Sequence, residues 1–343
     1  MILAGDVGGT KTLIGLFDPD PADGRPHVVR QHEYATLEFP SFDAIVDAFL
    51  TRERARVPAI TALCVGVAGP VQGLVARLTN VPWVVDLGRV APLVGRARLK
   101  LLNDLEAMAH AVAYLEADEL AVLQEGIAQP RGNGALIAAG TGLGQALLHN
   151  VNGRFVPSPS EGGHADFAPR NRLELELAGR FMAEGVRVEV ETFLSGPGLV
   201  NLYRFTHENE RTPDASLHHR LGCTGVPEGT DPDAAPAAIT AAAFEGRCDQ
   251  CVDALDLFVE IYGSEAGNLA LRALATAGIY LGGGIAPKIL PALEGGRFLD
   301  AFRDKPPMSD LLATVPVQVI LNDEAALVGA AVHGQSLGRQ AHG

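Results

Sequence analysis

Apolar positions change period along the chain, from two to about 3.6 residues and back. Ile2-Leu3-Ala4 and Leu13 to Phe17 read as strands on either side of Gly5-Asp6-Val7-Gly8-Gly9-Thr10-Lys11-Thr12. With the dense turn cluster Asp18 to Gly24 behind them, residues 2–35 read as a β-meander. Helical spacing begins after Ser41, which is placed to cap a helix running to about Thr51, with Phe42, Ile45, Val46, Phe49 and Leu50 on one face. Ala62 to Val67 predicts a buried strand ending at Gly69-Pro70. A short helix near Asp86 follows, then a strand at Leu99 to Leu102 that ends on Asn103-Asp104, and a helix through about Tyr114. The predicted order before residue 116 is βββαβαβα.

Much of this order repeats from Gly134. The apolar run Ala135 to Ala139 enters a second glycine turn, Gly140-Thr141-Gly142-Leu143-Gly144, and Gln145 to Leu148 continues as a strand. An Asn152-Gly153 turn leads to Arg154-Phe155-Val156, and a helix is expected from Leu173 to about Ala183. Residues 207–237 are polar and proline-bearing, and read as an exposed excursion. Ala238 to about Arg272 reads as helix, with a break expected near Gly263. Ile279-Tyr280-Leu281 runs into Gly282-Gly283-Gly284, Val317 to Leu321 is a last strand, and Asp323-Glu324 opens a terminal helix expected to cover the first domain. The repeat is one of strand order and turn placement, not of residue identity.

The length of 343 residues favours two domains over one core. A net charge of −14 disfavours nucleic acid and anionic membranes as partners. It is compatible with a nucleotide only if backbone N–H groups and a metal ion supply the positive field. No basic leader opens the chain and no apolar stretch reaches membrane-spanning length, so a cytoplasmic protein with reduced thiols is expected. Cys64 lies in an apolar run and reads as a small core residue. Cys248-Asp249-Gln250-Cys251 is a lone CxxC; no second pair stands near it in sequence, so no metal site is expected there.

Each glycine-threonine turn can bring backbone N–H groups close to phosphate oxygens. Neither is a P-loop, since GxxxxGK[ST] is absent, and neither opens a helix as a dinucleotide fingerprint does. Plain hairpins are the competing reading; two turns in matching positions, with Asp6 beside the first, favour a phosphate chain. Gly282-Gly283-Gly284 serves either strand-to-helix packing or a flat floor for a purine. Asp104, at the carboxyl end of a strand, is either a helix cap or a general base, and position alone leaves both open. Glu161-Gly162-Gly163-His164-Ala165-Asp166 and Glu191 offer carboxylates and an imidazole suited to a polyol, whose hydroxyls each need a partner.

Together these segments resemble the bacterial glucokinase family, within the actin-like, Hsp70-like sugar kinase superfamily. The resemblance runs almost end to end: Gly5 to Thr10, Thr79-Asn80 with Trp83, Leu102-Asn103-Asp104, Gly140 to Gly144, Gly282 to Pro287 and the terminal helix. Its most specific parts are Glu161-Gly162-Gly163-His164-Ala165-Asp166-Phe167-Ala168-Pro169 and Leu194 to Tyr203. It implies an α/β chain of two actin-like (ribonuclease H-like) domains around a central cleft, 1–115 plus 323–343 and 116–322. It implies ATP-dependent phosphorylation of D-glucose at the 6-hydroxyl, with Asp104 as the base and Asn103, Glu161, His164 and Glu191 on the sugar hydroxyls. Gly5, Asp6, Val7, Gly8, Gly9 and Thr10 would hold ATP from one side, and Gly140, Thr141 and Gly142 from the other, with Gly283 and Gly284 bordering the adenosine. Mg²⁺, closure over the sugar on hinges near 115–117 and 321–324, and a homodimer belong to the same implication. The cysteine-rich zinc motif of the related ROK sugar kinases is not present after the Gly-His, which places the chain with the non-zinc branch. Lys11 departs from the Asn of many relatives; it either reaches a phosphate or pairs with a surface acid. Alternatives are a kinase for another hexose or amino sugar, polyphosphate as donor, a sugar-sensing regulator, for which only four residues precede the first glycine turn, and a chaperone-type ATPase, which would not need the polyol set.

Overall fold

The computed structural model describes residues 1–22, 24–53, 59–78, 81–208, 223, 226 and 229–339. The chain divides into two compact units, one of Met1–Leu120, Arg154–Pro159 and Asn322–Gly343, the other of Ala121–Gly153 and Ser160–Leu321. Thr79-Asn80 lies outside the described residues.

The first unit is built on β1 (Ile2–Val7), β2 (Lys11–Asp18), β3 (His27–Ala35), β4 (Ala62–Val67) and β8 (Arg98–Asn103), in the order β3-β2-β1-β4-β8. Strand β1 is antiparallel to β2 and parallel to β4, and β4 is parallel to β8. Every residue of β4 is buried, as an unbroken apolar run in a doubly covered strand requires. Leu3, Val7, Leu63, Val65 and Val67 meet Phe42, Ile45, Val46 and Phe49 of α1 (Phe42–Glu53) and Leu87 and Val90 of α2 (Leu87–Val94). The alternate positions Ile2, Ala4, Cys64 and Leu102 meet Ala107 of α3 (Asp104–Ala111) and Ala326, Leu327 and Ala330 of the terminal helix. Ser41 caps α1 as expected, through a bond to the Ala44 N–H, and Asp86 caps the short helix α2 through the Gly88 N–H. One element differs: a small sheet of β5 (Val71–Gln72), β6 (Val75–Arg77) and β7 (Val84–Asp86) interrupts the expected order. Strands of two or three residues are too short for alternation to register.

The second unit repeats the plan. Strand β9 (Leu120–Gln124) precedes β10 (Gly134–Ala139) and β11 (Leu143–Val151); β12 (Arg154–Ser160), of which Arg154–Pro159 fall in the first unit, follows after a turn with Asn152 and Gly153 both at positive φ. Strand β10 is antiparallel to β11 and parallel to β13 (Gly278–Gly282), which is parallel to β14 (Val317–Ile320); β9 lies beside β14. Strand β9 was not expected from the sequence.

Helices α4 (Arg172–Ala183), α5 (Gly196–Glu208), α6 (Ala235–Phe244) and α7 (Asp249–Ala273) build the core of this unit, followed by α8 (Leu290–Glu294), α9 (Arg297–Arg303) and α10 (Ser309–Thr314). The expected break at Gly263 is absent. The chain breaks instead at 245–248, where Gly246 takes φ 62°, and α7 runs 25 residues unbroken. A Cβ on Gly263 would lie 2.1 Å from the Phe298 carbonyl oxygen, so this glycine serves helix packing. Of the 207–237 excursion, 209–222, 224–225 and 227–228 lie outside the described residues. Its two ends are helical, and Val226 and Ala235 are buried rather than exposed. The terminal helix α11 (Ala325–Arg339) covers the first unit's sheet as expected.

Candidate active site

In the first unit, three parallel strands end side by side, with Asp6 opposite Gly66 and Val67 opposite Asn103 in register. Strand ends leave side chains and backbone groups that the ladder no longer uses, and here the ends carry Asp6, Asn103 and Asp104. Asn103 caps α3: its Oδ1 accepts the Leu105 N–H at 3.0 Å, while its Nδ2 donates to the Gly69 carbonyl at 3.3 Å. Asp104, in the first turn of α3, accepts the same N–H at 2.8 Å. The cap reading of the Asn103-Asp104 pair therefore falls mainly to Asn103. Burial pushes the Asp104 carboxyl above its usual range, against the opposing hydrogen bonds from backbone and Asn103. Asp6 is pushed to about 7, first by burial and then by the charge of Asp104, with Lys11 opposing.

The turn from Gly8 to Thr10 lies at the end of the same hairpin. Gly8 N–H donates to the Lys11 carbonyl at 3.0 Å. Thr36 holds two further carbonyls, that of Gly8 through its hydroxyl at 3.0 Å and that of Thr10 through its N–H at 2.9 Å. The groups that would repel an anion are thus engaged within the fold. Buried Thr12 in turn shares a 2.9 Å hydrogen bond with the Thr36 hydroxyl. Lys11 resolves toward surface acids, 3.5 Å from Glu33 and 3.9 Å from Asp323.

In the second unit the Gly140 turn sits at the equivalent hairpin end. Its carbonyls are engaged in the same way, Gly140 O by the Gly196 N–H at 2.8 Å and Gly142 O by the Gly140 N–H at 2.9 Å. The Ser195-Gly196-Pro197-Gly198 stretch opens α5, where the Ser195 hydroxyl accepts the Gly198 N–H at 3.0 Å. Gly283 adjoins the Gly140 turn: it takes φ 80°, and a Cβ there would lie 2.4 Å from the Ala139 carbonyl. Only glycine satisfies both demands. Gly284 beside it is exposed.

The Glu161 to Asp166 stretch forms one turn of 3₁₀ helix, Gly162–His164. Buried Gly163 lies so close to β11 that a Cβ would fall 2.2 Å from the Leu143 carbonyl. That contact fixes where Glu161 and His164, both exposed, project. His164 Nδ1 lies 2.9 Å from Glu189 Oε1. The pair raises the imidazole above its usual value, chiefly through this hydrogen bond, with Glu191 and Glu161 adding charge. Glu191 Oε2 accepts the Leu143 N–H at 2.7 Å, which ties the carboxylate to the glycine turn. His164, Glu189 and Glu191 offer ligand atoms all within 4.8 Å of one another. Expected Glu161, His164 and Glu191 therefore share one patch of this unit.

Sequence reasoning missed Glu189 and Arg187. Arg187 donates to Asp166 Oδ1 and to the His164 carbonyl, both at 2.9 Å, and bracing of this kind comes from the Asp166–Glu189 bridge between distant segments. Glu189 precedes and Glu191 lies within a single 3₁₀ turn, Val190–Thr192, whose spacing carries no periodic signal in the sequence.

Comparison with known proteins bears on the whole chain. A family model described as Glucokinase matches residues 3–337. A curated glucokinase of Nostoc punctiforme is 38% identical over 340 residues, spanning 97% of this chain and 98% of its own. The crystal structure of a glucokinase from an Antarctic psychrotroph superposes with a TM-score of 0.84 at 30% identity, covering 98% of each chain. A ROK family glucokinase from Streptomyces griseus, solved with glucose and AMPPNP, reaches 0.56 at 22% identity over 99% of each chain, a likeness of fold.

Proposed function

The chain belongs to the bacterial glucokinase family and carries its ATP-dependent glucokinase activity, and from that premise we propose which of its residues do the work. Asp104 is the general base for the 6-hydroxyl of glucose, and Asn103, Glu161, His164 and Glu191 hold the sugar. As O6 attacks the γ-phosphorus, the O6–P bond forms, the bond to the β,γ-bridging oxygen breaks, and the hydroxyl proton passes to the Asp104 carboxylate. ADP departs with the bridging oxygen. A base raised toward working pH by burial suits this step, worth roughly 10²–10⁴-fold in rate. The observation that carries the assignment is the placement of Asp104 at the end of three parallel strands, electrostatically coupled to Asp6 and in the unit that bears the Gly8–Thr10 turn.

Gly5 to Thr10, Gly140 to Gly142, Gly283 and Gly284 hold the nucleotide. Support comes from the way both turns engage carbonyls internally; with the Gly8, Gly140 and Leu143 N–H groups used within the fold, those of Gly9, Thr10, Thr141 and Gly142 are the candidates to meet an anion. Asp6 offers a hard oxygen donor of the kind Mg²⁺ takes, and its carboxyl is raised first by burial and then by the charge of Asp104, as an anion short of a counter-charge would be. Bound there, the ion would supply charge neutralisation for the polyphosphate. We assign the base and one phosphate grip to 1–115 with 323–343, and the other contacts to 116–322. Among the described residues no helix is long and apolar enough to cross a membrane. The family resemblance supports a cytoplasmic homodimer, which light scattering tests directly.

The deciding experiment pairs calorimetry with a coupled ATP assay on Asp104→Asn. Turnover falls by at least about 10²-fold while glucose binding persists. Near-normal turnover removes Asp104 from the base role.

A further inference from the structure

The CxxC of the second unit does not stand alone in space. His207 near the end of α5, Cys223 from the connection that follows, and Cys248 and Cys251 at the start of α7 converge, with their four ligand atoms all within 4.8 Å of one another. None of the cysteines is in a disulfide. We propose that His207, Cys223, Cys248 and Cys251 form a structural zinc site of the Cys₃His type.

Several independent features of geometry point the same way. A tetrahedral zinc with Zn–S near 2.3 Å and Zn–N near 2.05 Å separates two sulfurs by about 3.8 Å, and a sulfur from a nitrogen by about 3.6 Å. Cys223 Sγ and Cys251 Sγ are 3.8 Å apart, and Cys248 Sγ and His207 Nε2 are 3.4 Å apart. The imidazole is oriented for the task. Its Nδ1 lies 2.7 Å from the Tyr203 carbonyl, which fixes the proton on that nitrogen and turns the Nε2 lone pair toward the thiols. The ring is further held by the Tyr203 ring, with centroids 3.8 Å apart.

The backbone shows the same fit. Cys223 and Val226 exchange N–H···O bonds of 3.3 and 3.2 Å, which hold the Cys223 backbone in place. The Thr206 hydroxyl donates to the Gln250 carbonyl at 2.9 Å, tying the helix that carries His207 to the one that carries the CxxC. Cys248 is the N-cap residue of α7 and Cys251 lies in its first turn, so one helix end presents both sulfurs of the CxxC. Three thiolates and an imidazole are a soft set that selects zinc over magnesium or calcium.

Four protein ligands leave no open position, so the site's role is structural. It would clip Cys223 to the end of α5 and the start of α7. The ligands lie outside the Glu161 to Asp166 stretch and the glycine turns, and the spacing of His207, Cys223 and Cys248-x-x-Cys251 differs from a cluster placed just after the Gly-His.

The test uses full-length protein produced with added zinc and purified under reducing conditions without metal-affinity steps. Elemental analysis is expected to give about one zinc per chain, released when a mercurial thiol reagent is added. Replacement by Co²⁺ is expected to give the intense visible bands of a tetrahedral ion and a thiolate-to-cobalt charge-transfer band. Cys251→Ser and His207→Ala should each lower zinc content by about tenfold or more, and Cys64→Ser should leave it unchanged. If a ligand variant does not fold, the cobalt spectrum of the wild-type protein decides. Zinc below about a tenth per chain, a weak octahedral cobalt spectrum without the thiolate band, or a Cys223–Cys251 disulfide in zinc-supplied protein would overturn the proposal.

Discussion

Replacing Asp6 by Asn should stabilise the protein, and only at neutral to alkaline pH. The carboxyl is raised from its ordinary range to about 7 by burial and by the charge of Asp104. The folded state therefore keeps a proton that the unfolded chain releases above about pH 4. Stability is lost as pH rises through the window between about 4 and 7, and stays at the lower level above it. A rise of about three pH units corresponds to about 4 kcal/mol, a ceiling reduced by relaxation and by sharing with Asp104, so about 2–4 kcal/mol is expected. Asn keeps the shape and cannot ionise. The difference between Asp6→Asn and wild type should stay under about 1 kcal/mol at pH 4.5 and reach about 2–4 kcal/mol at pH 8.5. Urea unfolding at both pH values measures it, and hydrogen exchange of the β1 and β2 amides reads the unit concerned. The same substitution should reduce phosphorylation of glucose, a trade of activity against stability common at functional sites. An equal offset at both pH values, or a variant less stable than wild type at pH 8.5, refutes the reasoning.

Other predictions follow from single contacts. Glu189→Gln should return the His164 imidazole toward its ordinary value in an NMR titration; the pair is formed below about pH 6.5 and lost as pH rises through the raised folded value, so an unmoved titration would discount it. His164→Ala should raise the KM for glucose by about tenfold or more with the KM for ATP little changed, and an effect confined to ATP would remove His164 from the sugar. Gly163→Ala places a Cβ 2.2 Å from the Leu143 carbonyl, and thermal unfolding should show a loss of about 1–3 kcal/mol together with a raised glucose KM. Gly329→Ala drives a Cβ to 1.7 Å from the Ala107 carbonyl, where α11 crosses α3, and should cost at least as much. Gly338→Ala, with ordinary 3.4 Å contact to Thr61, should change stability by under about 0.5 kcal/mol.

Much of this molecule is written locally. Unbroken apolar runs mark β4 and β10 because buried central strands need both faces apolar, and the spacing of Phe42, Ile45, Val46 and Phe49 marks a helix with one buried stripe. The glycine turns were legible for the same reason, since each answers a demand made within a few residues of itself; the cap considered for Asp104 falls mainly to its neighbour Asn103. The strands β5, β6 and β7 were hidden because their pairing, not their composition, makes them strands. Gly263 misled because a glycine that admits a neighbouring helix looks in sequence like one that ends its own. Other features had no local mark at all. Glu189 reaches His164 across 25 residues, and His207 and Cys223 join a CxxC that seemed isolated in the sequence. Sequence alone determined most of the helices and central strands and the glycine turns between them, since those depend on near neighbours. Only the tertiary structure decided which charges and thiols face one another, because that rests on contacts between segments whose separation along the chain carries no periodic signal.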